Sequence, residues 1–202
     1  MSNAIFFNYY KLKKGASVPD FLDSVENLIN DYASKQKGFI SFMLLFDGDT
    51  WADFGIFETM EDAKNFENPG STNDLAKKFY SFLNFNTCRS RIYSVERNYQ
   101  FKSGLPNVVT FVTYKLKKGM PVSDFLFATD KAGSKLSFND SLAISWKLLV
   151  DGDIWADMIY WESMDGPQKA SASENLNSDI KEYLSFIDDV PFHGHFSVEL
   201  SL

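Results

Sequence analysis

Cysteine is nearly missing from this chain of 202 residues, which has a single one, Cys88. One cysteine excludes an internal disulfide framework and fits a reducing compartment, so we expect a cytoplasmic protein. Long apolar runs are missing too, and residues 1–15 lack the basic start, apolar stretch and cleavage site of a secretory signal. We therefore expect no membrane association. The formal net charge is −7, so an extended basic surface is not expected. We therefore do not expect nucleic acid as a partner.

The sequence also lacks the common motifs of catalytic and metal sites. It has only two histidines, and it has no glycine-rich phosphate loop, no nucleophile elbow and no paired CxxC. The string Asp47-Gly48-Asp49 lacks the remaining ligands of a calcium loop, so it predicts a hairpin turn. We expect neither a metal nor a cofactor.

What the chain has is a long internal repeat. When the sequence is shifted by 104 positions, Tyr10–Leu22 matches Tyr114–Leu126 at 10 of 13 positions, and Leu44–Asp53 matches Leu148–Asp157 at 8 of 10. A repeat of this length exceeds a solenoid unit, so each copy is expected to be a small domain. We predict a first repeat over residues 1–97, a linker over 98–107 and a second repeat over 108–202.

Each copy has the same predicted order of elements. β-branched and aromatic strings predict strands, Ser17-x-x-Asp20 predicts a helix start, and Asp-Gly marks a hairpin. The order is β-α-β-β-α-β, which is the ferredoxin-like arrangement. We expect the first helix of the second copy to be shorter or distorted, because it contains Gly133.

The strand phase then predicts the α+β fold class. We assign the uniformly apolar positions Ala52, Phe54 and Ile56 to the side under the helices. The alternate positions, which include Trp51 and Asp53, would then lie on the open face, too aromatic to remain in water. The two antiparallel sheets are expected to pack open face to open face into an α/β barrel.

The repeated opening "YKLKKG", at Tyr10–Gly15 and Tyr114–Gly119, together with the element order and the duplication, resembles the dimeric α/β-barrel superfamily of the antibiotic-biosynthesis-monooxygenase type. There, two ferredoxin-like subunits form the barrel. The resemblance implies a cofactor-independent oxygenase, a haem-degrading enzyme or a protein without activity. Haem-binding members use a histidine on a helix, and the predicted helices here contain none, so haem is not expected.

The first candidate site is the Trp-x-Asp pair that occurs in both copies. An aspartate on a covered strand face is costly unless it is hydrogen-bonded, and burial raises its pKa into the range of proton-transfer chemistry. Asp157 is the candidate base. The structural alternative is that each aspartate only satisfies its hydrogen bonds. The accompanying ligand-binding candidates are Trp51, Asp53, Phe57, Trp155 and Trp161.

The second candidate site is the histidine pair of the last strand. His193 and His195 are two residues apart and share one face with Glu199, which we assign to the barrel interior. His195 is a candidate acid-base group, and His193 and Glu199 are candidate ligand contacts. The structural alternative is a pair of histidines near a barrel rim.

The resulting functional hypothesis is a barrel that binds a small apolar or aromatic molecule. Within the resemblance it would be a cofactor-independent monooxygenase-like enzyme acting on an aromatic or polyketide-like compound. The alternative is a non-catalytic interaction or assembly protein with a filled barrel, and whether the chain is an enzyme stays open at this point. It is expected to be a monomeric pseudo-dimer or a homodimer.

Overall fold

The computed structural model describes residues 3–67, 73–136, 142–172 and 177–202. The first copy contains strands β1, β2, β3 and β4 and helices α1, α2 and α3. Their order and bounds are β1 Ala4–Tyr10, α1 Val18–Asp31, β2 Phe39–Asp47, β3 Thr50–Phe57, α2 Met60–Glu67, α3 Asp74–Phe82 and β4 Arg89–Gln100. The bounds of the second copy are β5 Val108–Tyr114, α4 Val122–Leu136, β6 Ala143–Asp151, β7 Ile154–Trp161, α5 Asp165–Ser171, α6 Ser178–Ser185 and β8 Phe192–Ser201.

The local signals account for the ends of these elements. The Ser17 hydroxyl accepts a hydrogen bond from the Asp20 amide and caps α1. The β2–β3 and β6–β7 hairpins turn at Gly48 and Gly152, with φ values of +64° and +62°, which favour glycine. The expected shortening of the second copy's first helix is wrong, because α4 has 15 residues and α1 has 14. Gly133 instead lets the Tyr99 ring lie close: an added Cβ would stand 2.7 Å from Tyr99 Cε1.

The chain divides into two compact units. Unit 1 holds residues 1–94 and 199–202, and unit 2 holds residues 95–198. The strand order β1-β3-β2-β8-β5-β7-β6-β4 is that of a closed eight-stranded barrel, so the expected barrel of two ferredoxin-like repeats is confirmed. β4 continues to Gln100, inside the predicted linker.

In each unit the central strand pairs antiparallel with both neighbours. In unit 1, β3 lies between β1 and β2, and Asn8 of β1 is directly opposite Asp53 of β3. In unit 2, β7 lies between β5 and β6, and Val112 of β5 is directly opposite Asp157. Residues directly opposite each other share a sheet face, so this register decides which side chains surround each aspartate.

The assignment of the sheet faces from sequence is wrong. Trp51 belongs to the core cluster with Phe21 and Val25 of α1, so the positions that alternate with Ala52 and Phe54 are the ones that lie under the helices. The sequence criterion gives the more uniformly apolar face to the helices. Both faces of β3 are buried, however, so that criterion does not separate them. The large aromatic side chains fill the space between sheet and helices, and Asp53 lies among them.

Candidate functional site

The shared spacing of the two Trp-x-Asp pairs places the candidate residues on the helix-covered face of their own unit. The tryptophans serve packing there. Trp51 meets Phe21 edge to face at 5.0 Å between ring centroids, and Trp155 meets Phe125 at the same distance. Phe57 packs against Phe66 of α2 at 5.2 Å. These rings build the walls beneath the helices.

The histidines also lie on the face opposite to the one expected. His195 is directly across from Thr110, and its Nδ1 is 2.8 Å from the Thr110 hydroxyl. That hydroxyl in turn accepts a hydrogen bond from Trp161 Nε1 at 2.8 Å. His193 and Glu199 are exposed, and the two imidazole centroids are 4.6 Å apart. The structure therefore joins His195 to Trp161 through Thr110 and leaves His193 at the surface.

Asp157 in unit 2 is surrounded by side chains that donate hydrogen bonds to both of its carboxylate oxygens. Trp146 Nε1 donates to Oδ1 at 2.8 Å, the Tyr114 hydroxyl donates to Oδ1 at 3.2 Å, and the Tyr183 hydroxyl donates to Oδ2 at 2.6 Å. The two tyrosine oxygens are themselves 2.6 Å apart. Burial raises the pKa of Asp157 to about 6, and the three donors act against that rise. Both carboxylate oxygens are thus satisfied by the unit's own side chains.

Asp53 in unit 1 has the same backbone position and a poorer set of donors. Among the described residues its side-chain hydrogen bond comes from Asn8 Nδ2, at 3.5 Å from Oδ2, the outer limit for such a bond. Burial raises the pKa of Asp53 to about 7, and Tyr10 and Asn8 act against that rise. The Tyr10 hydroxyl is close enough to lower this pKa but lacks hydrogen-bonding geometry. Asp53 is only 4% exposed, so its charge is buried and weakly compensated.

The difference between the two aspartates follows from two replacements. At the shift of 104, Trp146 corresponds to Phe42 and Tyr183 corresponds to Phe79. Each replacement removes one donor from the aspartate of unit 1. Phe42 and Phe79 keep an aromatic ring at the position but supply no N–H and no O–H. The two copies therefore agree in fold and differ in the chemistry around the shared carboxylate.

A small cavity of about 30 Å³ lies beside Asp53 in unit 1. The helix-covered face of the sheet and all three helices line it, at Phe6, Asn8, Leu28, Tyr32, Phe42, Asp53, Phe66, Glu67, Ala76, Phe79 and Tyr80. The hydroxyls of Tyr10 and Tyr32 are buried, and neither has a hydrogen-bond partner within the part of the chain that the structure describes. One water occupies roughly 10–15 Å³ on this measure, so the space suits about two waters or the polar end of a larger molecule.

The sequence found both aspartates but missed the groups that distinguish them. Asn8 could have been found from its position on β1, since the antiparallel register brings it opposite Asp53. Trp146 could not have been found in this way, because the residue directly opposite it on β7 is Ile159. Its indole reaches Asp157 diagonally across the strands. Tyr183 lies on α6 and reaches the sheet only through the tertiary fold.

Over residues 3–67, 73–136, 142–172 and 177–202, no group of three or more His, Cys, Asp or Glu side chains is placed to hold a metal ion. Within the same ranges, no helix is both long enough and apolar enough to span a membrane.

Comparison with known proteins gives structural matches only. No family profile and no curated protein sequence matches the chain. A candidate monooxygenase from Fusobacterium nucleatum subsp. nucleatum aligns with a TM-score of 0.70 and 16% identity, over 99% of this chain and 94% of that one. An anthrone oxidase-like protein aligns with a TM-score of 0.66 and 11% identity, over 100% of this chain and 93% of that one. LmHde, a heme-degrading enzyme from Listeria monocytogenes, aligns with a TM-score of 0.54 and 13% identity, over 96% of this chain and 98% of that one.

The chain has the ferredoxin-like fold of these structures. At these identities the likeness concerns the fold alone. That fold is shared with proteins of different named activities, so the side chains around Asp53 and Asp157 must decide what this chain does.

Haem does not fit the cavity as it stands, because the space of about 30 Å³ is far below the several hundred Å³ of pockets that hold drug-sized molecules. Among the described lining residues there is no histidine and no cysteine, and Tyr32 and Tyr80 are of a type that can ligate haem iron. Haem, like any ring system larger than the cavity, would require side chains to move.

Proposed function

We propose that unit 1 binds a small phenolic or related aromatic molecule beside Asp53 and that this carboxylate accepts a proton from it. The supporting observation is the contrast between the two aspartates: among the described residues, Asp157 has three side-chain donors, whereas Asp53 has a single long hydrogen bond and a cavity beside it. A base whose pKa is about 7 is partly ionised at neutral pH, which suits general base catalysis. We therefore place the base at Asp53 rather than at Asp157 or His195.

The aromatic walls of the cavity support an aromatic substrate. Ring faces or edges around the carboxylate come from Phe6, Phe42, Phe66 and Phe79. A ring system larger than the cavity requires side chains to move. Three aromatic lining residues are only half-buried, Tyr32, Phe66 and Tyr80, and we expect Phe66 or Tyr80 to turn outward.

The reaction class that we propose is a cofactor-independent oxygenation, with anthrone as the probe substrate. The Asp53 carboxylate takes the proton from the benzylic carbon, and the electron pair stays on the substrate as a carbanion. Dioxygen is the oxidant: it accepts these electrons and forms a carbon–oxygen bond, and the peroxide recovers the proton. Loss of water then leaves the quinone, so that one anthrone and one dioxygen give one anthraquinone and one water.

The experiment measures oxygen uptake and anthraquinone formation with the purified chain in air-saturated buffer. We expect turnover by the wild-type protein and loss of nearly all of it in Asp53→Asn, while Asp157→Asn, the matched change in the other copy, retains turnover if it folds. If turnover survives Asp53→Asn and is lost in folded Asp157→Asn, the base is in unit 2, as the sequence predicts. If the wild-type protein does not accelerate the reaction, the proposal fails for this substrate class.

A second candidate function is supported by the size of the cavity. A space for about two waters is what a non-catalytic protein with a filled interior would show. In that case anthrone is not bound, and Asp53→Asn changes stability only.

A further inference from the structure

The two units place an equivalent aspartate in two different environments. In unit 2, both oxygens of Asp157 have hydrogen-bond donors. There, the Trp146 N–H donates to Asp157 Oδ1 at 2.8 Å and the Tyr183 O–H donates to Oδ2 at 2.6 Å. Each carboxylate oxygen thus receives one short bond from an aromatic side chain. The pair of donors defines a pattern: two neighbouring polar hydrogens, held by aromatic groups, directed at the two oxygens of one aspartate.

Unit 1 lacks this pair of donors at the corresponding places. Phe42 and Phe79 stand where Trp146 and Tyr183 stand in unit 2, and both line the cavity beside Asp53. The atoms that are missing are the pyrrole edge of the indole and the hydroxyl oxygen of the tyrosine. A space therefore remains beside Asp53, lined largely by aromatic side chains, next to a carboxylate that burial already disfavours in its charged form.

Other groups near the space also need partners. The Tyr10 side chain is fully buried, and its hydroxyl lies close enough to lower the pKa of Asp53 but has no hydrogen bond of good geometry among the described residues. The Tyr32 hydroxyl, on a residue that lines the cavity, is likewise buried without a partner within the described ranges. A buried hydroxyl without a partner costs free energy, so a ligand that engages Asp53 and these hydroxyls gains binding energy from all of them.

From this comparison we infer that the ligand of unit 1 is an aromatic molecule with two adjacent hydroxyl groups, a catechol-like compound, whose two O–H groups donate to the two oxygens of Asp53. They take the roles that the side chains of Trp146 and Tyr183 have in unit 2. The hydroxyl edge enters the cavity, and the ring displaces half-buried Phe66 or Tyr80. This deepens the proposed function, because it specifies the substrate class of the same site.

A methylation series tests the donor pattern. Catechol has two donors, guaiacol has one and veratrole has none, while the ring stays the same. Binding is measured by calorimetry or ligand-detected NMR without oxygen at pH 8, where Asp53 is ionised. We expect catechol to bind about tenfold more tightly than guaiacol, and veratrole not to bind, because each lost donor leaves an acceptor unsatisfied. Equal affinities, or no binding of catechol at tens of millimolar, would overturn the inference.

Exchange of the two aromatic positions provides the matched controls. Phe42→Trp combined with Phe79→Tyr gives Asp53 its own donors, so catechol binding should be lost. Trp146→Phe combined with Tyr183→Phe removes two of the three donors from Asp157 and leaves only Tyr114, so a second catechol should bind and the stoichiometry should rise from one to two. Each exchange is informative by itself if the other fails to fold. Unchanged stoichiometry in both folded exchanges contradicts the inference.

The binding experiments are independent of turnover. If catechol binds with the expected series but anthrone is not oxidised, the inference stands and the proposed oxygenation fails. If anthrone is oxidised but the methylated compounds bind as well as catechol, the oxygenation stands and the donor pattern is wrong.

Discussion

Asp53→Asn should make the protein more stable at pH 8, although it removes the proposed base. The pKa of this carboxyl is raised from 3.8 to about 7 by burial. A pKa difference of one corresponds to about 1.4 kcal/mol, so keeping Asp53 ionised in the folded state costs about 4 kcal/mol. Asparagine has nearly the same shape and no charge. Allowing about 1 kcal/mol for less favourable hydrogen bonding, we expect a gain of about 3 kcal/mol in the free energy of unfolding.

The sign of the pH dependence follows from the direction in which burial moves this pKa. Well below pH 3.8 the carboxyl is protonated in both the folded and the unfolded chain, and it contributes no penalty. Between pH 4 and 7 the unfolded chain loses its proton first, so the wild-type stability falls as the pH rises. The gain from Asp53→Asn should therefore be near zero at pH 4 and complete above pH 7.

The assay is thermal unfolding followed by circular dichroism at pH 4 and pH 8. A gain of about 3 kcal/mol raises Tm by about 6–12 °C in a chain of this size. Asp157→Asn is the control. Burial raises the pKa of Asp157 to about 6, which by the same conversion costs about 3 kcal/mol at pH 8, and the asparagine amide would face a donor that the carboxylate satisfies, which costs a similar amount. We therefore expect little gain at pH 8 and a loss at pH 4. For Asp53→Asn, an equal gain at both pH values, or none at pH 8, would refute the reasoning about buried charge.

Four further substitutions test the packing. Trp155→Ala should lower the free energy of unfolding by about 3–5 kcal/mol in a denaturant titration, and a loss below about 1 kcal/mol would contradict its place beneath α4. Gly133→Ala should cost about 1–3 kcal/mol by forcing its new Cβ against Tyr99, so a neutral result would show that this contact is loose. His195→Ala should cost about 1 kcal/mol and His193→Ala less than about 0.5 kcal/mol by thermal unfolding; equal losses would contradict the burial difference.

The duplication made the fold predictable. Two copies of one pattern, with capping residues and Asp-Gly turns at matching places, gave the element order of both repeats. Sheet closure followed from the requirement that an aromatic open face be covered, and the closed strand order agrees with it. The prediction of closure was correct although it assigned the wrong strand face to the barrel interior. It still held because both faces of the strands are apolar and both must be covered.

The candidate site was less predictable, for a physical reason. A buried aspartate is visible in a sequence, but the partners of Asp157 come from diagonal positions on two neighbouring strands and from a helix. Trp146 and Tyr183 look like ordinary core aromatics until the fold brings their polar atoms to one carboxylate. Their replacement by Phe42 and Phe79 was present in the aligned copies. The functional consequence of this replacement could be recognised only from the structure, in which both positions lie beside the aspartate.

The hydrogen bond between Trp146 and Asp157 gives the chain an internal indicator of ionisation. The indole N–H signal of Trp146 in an NMR spectrum should move as the neighbouring carboxyl gains a proton near pH 6. The indole of Trp161 donates instead to the Thr110 hydroxyl, which also contacts His195, so its signal reports on a different titratable group. A titration of the Trp146 signal reads the charge state of Asp157 and not that of Asp53, because no comparable indole donates to Asp53 among the described residues.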